Sequence, residues 1–321
     1  MFFKTLILPL LCVSCLYAES LLQKANDFYQ NNDYNNAIKT YYKALEKGEN
    51  PALVYFNLAN TYYQTDSVAK AIVYYQLSIG EAPEFFRAYL NLGILYYNLN
   101  DMAGAISTLE QARLLEKEND QLLLILASAY KNVNEYSVAV LLLEQIIEKN
   151  PGIDECYFLL FEINRIIGDK TEAKYWLEKY PEEGKRVADK YQLLAELSEE
   201  LGNKSEAIFY YNQLIGISPE RKWAYYQLVK LTYLNGNILT ALQEAERALN
   251  LFNEFGDLSL FAGNAAYENK IFRKAEKFYL KAYKTGNAGG LIGLQNLLKH
   301  YRMENDYESA SRIVDLISHG S

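Results

Sequence analysis

The sequence predicts an all-α fold, a solenoid built from antiparallel helix pairs that repeat along the chain. Two observations predict it. Residues 52–85 contain two apolar runs at helical spacing, separated by four polar residues. The same arrangement recurs every 34 residues, and a period of this length is typical of stacked helix–turn–helix units.

The unit in residues 52–85 is interpreted as a helical hairpin, because each run places four residues on one helix face. These are Tyr55, Leu58, Ala59 and Tyr62 in the first run, and Ala71, Ile72, Tyr75 and Ser78 in the second. Pro83 is expected to end the second helix. A single hairpin cannot bury both of its faces, so it requires a similar neighbour on each side.

A column of small residues fixes the register of these neighbours. Stepping by 34 residues from Ala71, and once by 35 at the end, gives Ala37, Ala71, Ala105, Ala139, Ala173, Ala207, Ala241, Ala275 and Ala310. With the hairpin pattern, this register resembles the tetratricopeptide repeat (TPR) family from about residue 20 onwards. The resemblance implies a right-handed superhelix over residues 19–321. Its nine repeats lie near 20–51, 52–85, 86–119, 120–153, 154–187, 188–221, 222–255, 256–290 and 291–321.

The turn between the two helices of each repeat has its own column. Its members are Asn32, Asp66, Asn100, Asn134, Gly168, Gly202, Gly236, Lys270 and Asn305. All except Lys270 are residue types that tolerate a left-handed backbone, which a tight turn after a helix requires. We therefore expect a positive φ at this position.

Repeat 5 departs from the pattern, since Pro181 arrives four positions early. Its second helix should end near Lys179, and the polar run 182–186 should form a loop. Two interpretations remain open. The loop bends the superhelix between repeats 1–5 and 6–9, or it preserves the stacking.

The N-terminus carries an export signal by its pattern: Lys4 and then an apolar run too short to span a bilayer. Residues 1–18 are interpreted as a signal peptide cleaved after Ala18. The alternatives are a lipoprotein with Cys15 as the lipidated residue and an uncleaved anchor, and either would bring the chain to a membrane. Each interpretation predicts an exported protein of a bacterial periplasm or cell envelope. Ser20 and Gln23 form a predicted capping box, so the first helix should start at once.

Composition excludes several classes of function. A net charge of −8 argues against nucleic acid as the main partner, because phosphate binding needs a basic face. Two separate histidines and a single cysteine in the repeats, Cys156, cannot build a usual zinc site. No Gly-rich phosphate loop or nucleophile elbow is present. The sequence therefore predicts a protein that is not an enzyme and that has no metal or cofactor.

The candidate binding residues are polar or aromatic and lie on the first helices of repeats 2 and 3. They are Asn57, Asn60, Tyr63, Arg87, Asn91 and Tyr97. In the TPR family this side faces the concave groove, and asparagine can both donate to and accept from a peptide backbone. We expect replacement of Asn57 and Asn91 to weaken binding with little effect on folding. The carboxylate clamp of chaperone-binding relatives is incomplete, because Asn26 matches it and Leu22 replaces a lysine.

The predicted function is a protein-interaction scaffold that binds a protein or an extended peptide on its concave face. The alternative is an assembly factor for cell-wall or outer-membrane machinery that docks folded partners by its edges. Residues 20–83 also resemble exported TPR proteins of bacterial aerotolerance operons. The residues that carry this resemblance are Asn57–Tyr62 and Ala71–Tyr75.

The last helix raises the question of self-association. It contains Ile313 and Leu316, and no closing polar helix follows in the sequence. One interpretation leaves both side chains partly exposed as a self-association or partner surface. In the other, repeat 9 is an adequate cap, with Arg312, Asp315 and Ser318 facing outward.

Overall fold

A computed structural model describes residues 20–252 and 255–319, and these residues form 18 α-helices. The predicted all-α solenoid is confirmed. The predicted signal peptide, with Cys15, lies outside the described residues. Within the described part of the chain, no helix has both the length and the apolar character needed to cross a membrane.

The helices fall into two compact units that divide between Ile146 and Ile147. Unit 1 contains α1 (Leu21–Gln30), α2 (Tyr34–Glu46), α3 (Pro51–Gln64), α4 (Val68–Glu81), α5 (Phe86–Asn98), α6 (Met102–Leu115), α7 (Asp120–Asn132) and most of α8 (Tyr136–Lys149). Unit 2 contains α9 (Glu155–Ile167), α10 (Lys170–Lys179), α11 (Val187–Glu200), α12 (Lys204–Ile217), α13 (Lys222–Leu234), α14 (Ile238–Leu251), α15 (Gly256–Glu268), α16 (Phe272–Lys284), α17 (Ala288–Met303) and α18 (Tyr307–His319).

The alanine column lies in the core of these helix pairs. Ala71 and the seven other members that precede Ala310 have no exposed surface, and Ala310 is 6% exposed. Because an alanine side chain ends at Cβ, it lets the two helices of a pair approach closely. Gly93 allows the same close approach, since a Cβ added there would lie 2.5 Å from the Leu109 side chain. The 34-residue register therefore records the sites of closest helix packing.

The nine turn residues all adopt a positive φ, which confirms the expectation. This includes Lys270, with φ 59°, although lysine pays a steric cost in this region that glycine does not. After the turn at Asn32, the Asp33 amide donates to the Phe28 carbonyl at 2.9 Å. After the turn at Asp66, the Ser67 amide donates to the Tyr62 carbonyl at 2.8 Å. Such bonds from beyond the helix end satisfy its last carbonyls.

The start of α1 is capped partly as predicted. The Ser20 hydroxyl accepts from the Gln23 amide at 3.0 Å, but the Gln23 side chain donates to Asp27 instead of returning the bond. The Glu49 carboxylate also caps this helix end, because it accepts from the amides of Leu21 and Leu22 at 2.8 Å each. The free amides at this helix end are thus satisfied from the turn after α2.

The loop after α10 is organised around buried side chains. Helix α10 ends at Lys179, as predicted. The Tyr180 hydroxyl donates to Asp154 Oδ2 at 2.7 Å, and the buried Lys190 ammonium donates to the Tyr180 carbonyl at 2.9 Å and to Glu182 at 2.5 Å. Helices α10 and α11 pack together within unit 2, so the boundary between the units lies before this loop.

This network also sets the charge state of Asp154. Burial alone would raise the pKa of its carboxyl. Hydrogen bonds from the Tyr180 hydroxyl and from the Lys185 amide outweigh burial and lower the pKa to about 2. Asp154 is therefore ionised at neutral pH, and its carboxylate accepts hydrogen bonds from Tyr180 and Lys185 in the loop.

Of the two interpretations of α18, the one that leaves Ile313 partly exposed is wrong. Ile313 is fully buried because it lies one turn from Ala310 and packs into the core of unit 2. Leu316 is half-buried, and Val314 is exposed at 41%. Arg312 is also half-buried and forms a two-point ion pair with Glu276 at 2.9 and 3.1 Å.

Candidate functional site

Asparagine side chains connect the first helices of successive pairs in unit 1. Asn57 Nδ2 on α3 donates to Asn26 Oδ1 on α1 at 2.9 Å. One repeat later, Asn91 Nδ2 on α5 donates to Asn60 Oδ1 on α3 at 3.1 Å. Both bonds join residues 31 positions apart, so the same contact is made twice.

A tyrosine from the second helix of each pair completes this contact. The Tyr41 hydroxyl donates to Asn26 Oδ1 at 2.8 Å, and the Tyr75 hydroxyl donates to Asn60 Oδ1 at 2.6 Å. Both tyrosines are buried, and burial raises the pKa of Tyr75 to about 12, so its hydroxyl keeps its proton.

We call these two groups the amide rungs. The first rung is Asn26, Tyr41 and Asn57, and the second is Asn60, Tyr75 and Asn91.

Each rung leaves two polar groups for a ligand. The Oδ1 atoms of Asn26 and Asn60 each accept two bonds, which fixes the orientation of both amides. Their Nδ2 groups, and the Oδ1 atoms of Asn57 and Asn91, have no hydrogen-bond partner in residues 20–252 and 255–319. Since all four asparagines are partly exposed, each rung presents one free NH2 group as donor and one free carbonyl oxygen as acceptor.

Two adjoining cavities lie along the rungs. The cavity of about 380 Å³ is lined by Tyr29, Asn60, Tyr63, Gln64, Tyr75, Asn91, Ile94 and Leu95. The cavity of about 230 Å³ is lined by Asn26, Tyr29, Gln30, Tyr41, Asn57 and Asn60. Tyr29 and Asn60 belong to both, and no described residue that lines them carries a charge. We call this surface the rung groove.

The structure brings four of the six predicted site residues to this groove. They are Asn57, Asn60, Tyr63 and Asn91. Arg87 is exposed one helical turn before Asn91, and Tyr97 is half-buried near the end of α5, but neither lines either of these two cavities.

Sequence reasoning did not include the other lining residues in the candidate groove, although it matched Asn26 to one clamp position. These are Asn26, Tyr29, Gln30, Tyr41, Gln64, Tyr75, Ile94 and Leu95. Their signal is the 34-residue recurrence of whole groups, for example Asn26 with Asn60 and Tyr41 with Tyr75.

The expectation that Asn57 and Asn91 can be replaced without affecting folding is corrected by their contacts. Both side chains lie at the junction between successive first helices and donate across it. Removing one such bond costs about 0.5–1.5 kcal/mol. Tyr63, which is 40% exposed, and the exposed Gln64 line the groove without belonging to a rung, so they separate binding from stability better.

The amide rungs stop after two repeats. One further step of 34 residues from the second rung reaches Ile94, Leu109 and Ile125, which are apolar. The pair of asparagine and tyrosine returns in unit 2, where the Tyr279 hydroxyl donates to Asn264 Oδ1 at 2.9 Å. The polar lining is therefore not a requirement of the register.

The described residues include no cluster of three or more His, Cys, Asp or Glu side chains that could hold a metal ion. Cys156 is buried on α9, where it packs as a small apolar side chain.

Comparisons with known proteins agree with this architecture. Residues 22–84, 86–119 and 188–221 match models of the tetratricopeptide repeat. Comparison with curated protein sequences gives no significant match.

Three solved structures illustrate the similarity. The "MamA protein" structure has 20% identity, a TM-score of 0.50 and coverage of 53% of this chain and 93% of that one. The structure of YrrB, "a TPR protein with an unusual peptide-binding site", has 21% identity and a TM-score of 0.49, with coverage of 58% and 96%. That of PilW, a "type IV pilus biogenesis factor", has 21% identity and a TM-score of 0.47, with coverage of 62% and 92%. Of these three, the first reaches a TM-score of 0.50, and at its low identity it supports the fold alone.

Proposed function

Because this chain is a tetratricopeptide repeat protein, we propose that it is a non-enzymatic scaffold that binds an extended peptide segment of a partner protein. The observation that carries the proposal is the pair of amide rungs in unit 1. Each rung offers one donor and one acceptor, and an extended backbone offers the complementary carbonyl and N–H. The proposed site is the rung groove, on the concave side of the repeats.

Hydrogen bonds to the rungs contribute only part of the affinity. Four bonds at about 0.5–1.5 kcal/mol each contribute about 2–6 kcal/mol. A dissociation constant of about 1 μM requires about 8 kcal/mol, and ordering the peptide adds a further cost. Side chains seated in the two cavities must therefore supply the remainder. The tyrosines that line both cavities provide the apolar surface for such contacts.

We further propose that the protein is exported to a bacterial periplasm or cell envelope, with a mature chain that starts near Glu19. The start of α1 at Leu21, with its cap at Ser20, supports a repeat array that begins directly after the cleavage site. Intact-mass measurement of the native protein tests this. An acylated Cys15 would instead establish a lipoprotein, and an uncleaved chain would establish an anchor.

The second candidate is an assembly factor that docks folded partners away from the groove. It is favoured by exposed apolar side chains on the second helices of unit 1. Val73 is 51% exposed and Leu77 42% exposed on α4, and Leu141 is 66% exposed on α8. Neighbouring exposed apolar side chains mark many protein-binding surfaces.

A matched pair of variants distinguishes the two candidates. The groove variant combines Tyr63→Ala with Gln64→Ala, and the outer-face variant combines Val73→Ser with Leu77→Ser. All four side chains are exposed, so neither variant should perturb the core. Each is used to capture partners from native envelope extract, and circular dichroism confirms that it is folded.

The groove proposal expects the groove variant to lose the partners captured by the wild type, and an added extended peptide to compete for them. Binding that survives in the groove variant but is lost in the outer-face variant would refute the proposal. The docking-scaffold candidate would then take its place.

A further inference from the structure

The two amide rungs are related by one repeat, and this relation limits the conformation of a ligand that contacts both. Asn57 bonds directly to Asn26 on the preceding first helix, and Asn91 bonds in the same way to Asn60. The first helices of successive pairs are therefore in direct side-chain contact. Helices in such contact lie about 8–10 Å apart. A ligand that makes the same contact with both rungs must repeat its own structure over that distance.

Regular peptide conformations differ in this repeat distance. A β-strand presents the same face every two residues, or about 6.6–6.8 Å. A polyproline II helix presents the same face every three residues at about 3.1 Å each, which gives about 9.3 Å. We propose that the rung groove binds an uncharged, proline-containing segment in the polyproline II conformation. This inference rests on the proposed peptide-binding function and specifies the class of its ligand.

The hydrogen-bonding groups of the rungs suit such a segment. A polyproline II helix has no internal hydrogen bonds, so its carbonyls and the N–H groups of its non-proline residues are free. The Nδ2 groups of Asn26 and Asn60 can donate to carbonyls, one repeat apart. The Oδ1 atoms of Asn57 and Asn91 can accept from N–H groups at the same interval. Each triplet then needs one residue other than proline.

The walls of the groove suit proline rings. Tyr29 and Tyr63 are 34 residues apart, and both line the larger cavity. The Tyr63 hydroxyl accepts from Asn98 Nδ2 at 3.5 Å, a long contact that helps to orient the ring. Aromatic grooves bind polyproline II segments because the ligand is already extended and loses little entropy. The absence of charge among the described lining residues favours an uncharged ligand.

Fluorescence polarisation with labelled twelve-residue peptides tests the proposal on the purified repeat chain. The first probe repeats the triplet Ser-Pro-Pro, the second alternates Ser and Thr, and the third repeats Lys-Pro-Pro. The proteins are the wild type, Tyr63→Ala and the matched control Tyr97→Ala, which alters the same helix position one repeat later and outside both cavities. Circular dichroism verifies that each variant is folded.

The Ser-Pro-Pro peptide should bind the wild type about ten-fold more tightly than either other peptide. Tyr63→Ala should weaken its binding by about five-fold or more, because an aromatic wall is lost, and Tyr97→Ala should leave it unchanged. Equal, Tyr63-dependent binding of the Ser-Pro-Pro and Ser-Thr peptides would overturn the conformational inference but leave the peptide-binding function intact.

Two other outcomes would overturn both the inference and the peptide-binding function of the groove. One is that no peptide binds in a Tyr63-dependent manner. The other is that a neutral oligosaccharide, tested as an N-acetylglucosamine tetramer, binds in that manner while the peptides do not. Tyrosine and amide side chains also suit sugar rings, so the second result would assign the groove to a glycan.

Discussion

Removal of a single buried hydroxyl, by Tyr75→Phe, should loosen the second amide rung. The Tyr75 hydroxyl donates to Asn60 Oδ1 at 2.6 Å, and the side chain is 3% exposed. Phenylalanine keeps the ring and its packing, so the change isolates one hydrogen bond. The matched control is Tyr63→Phe, which removes a hydroxyl from a ring that is 40% exposed.

The expected cost follows from what Asn60 retains. Its Oδ1 still accepts from Asn91 Nδ2 at 3.1 Å, so the oxygen is not left without a donor. The loss should be that of one ordinary hydrogen bond, about 0.5–1.5 kcal/mol. The control should change stability by less than about 0.5 kcal/mol, as exposed substitutions usually do.

Hydrogen exchange measured by mass spectrometry is the suitable assay, because a repeat array opens locally and does not have one unfolding free energy. Peptides from α3 and α4 should exchange about 2- to 12-fold faster in Tyr75→Phe, which is the expected cost expressed as an equilibrium constant. Peptides from unit 2 should exchange as in the wild type, and Tyr63→Phe should match the wild type throughout.

A double-mutant cycle provides the refuting result. If Tyr75 stabilises the fold through Asn60, then Tyr75→Phe should cost much less in a background that already carries Asn60→Ala. Effects that add to within about 0.3–0.5 kcal/mol would show that the two side chains are not coupled, and the rung would not be the structural unit inferred here.

Three further predictions concern other parts of the chain. Lys270→Asn should raise the melting temperature, since asparagine tolerates φ 59° better than lysine does. Lys277→Gly on the exposed face of α16 should instead lower the stability by about 1 kcal/mol. Equal effects of the two substitutions would contradict the turn argument. Ala71→Leu should lower stability by about 1–3 kcal/mol by overpacking α3 against α4, and an unchanged melting curve would show that this helix pair can separate. The Asp154 carboxyl, with its pKa lowered from 3.8 to about 2, contributes stability above pH 4 that is lost as the pH falls towards 2. Asp154→Asn should therefore be less stable than the wild type at pH 7, by a margin that shrinks in melts between pH 4 and pH 2, and a constant margin would contradict this.

The repeating features of the fold could be predicted from the sequence because each recurs several times along the chain. The alanine column and the turn column recur at fixed intervals, and the structure confirms the burial of the first and the positive φ of the second. Even Lys270 adopts the predicted backbone, although its own residue type argues against it. At such a position the stacking of neighbouring repeats outweighs the local preference of one residue.

The features that occur once could not be predicted in this way. Glu49 caps α1 from 27 residues away, and Lys190 fills the space beneath the loop at Tyr180. Neither contact has a second copy from which a rule could be drawn. The error at Ile313 has a similar origin, because the helical pattern gives an apolar face but not the helices that cover it.

For the rung groove, the pattern identified the right helices but not the role of each amide. Periodicity places Asn57 and Asn91 on one side of their helices, and sequence reasoning therefore assigned them to a ligand. The structure shows that each Nδ2 group donates between helices, whereas the Oδ1 atom has no hydrogen-bond partner in the described part of the chain. Spacing along one helix cannot distinguish these uses, since they depend on a neighbour 31 residues earlier.

The stacking of the repeats does not itself require polar rungs, and this argues that the rungs serve binding. At the next step of the register the same three positions hold Ile94, Leu109 and Ile125, and the helix pairs continue there without amides. A hydrogen bond between buried or half-buried groups adds little over well-packed apolar side chains, because both of its partners must first be desolvated. What apolar residues cannot supply is a pair of fixed amides that present one donor and one acceptor at the interval of the helices. That capacity is found at two successive steps, where Tyr29 and Tyr63 also form the walls of a cavity.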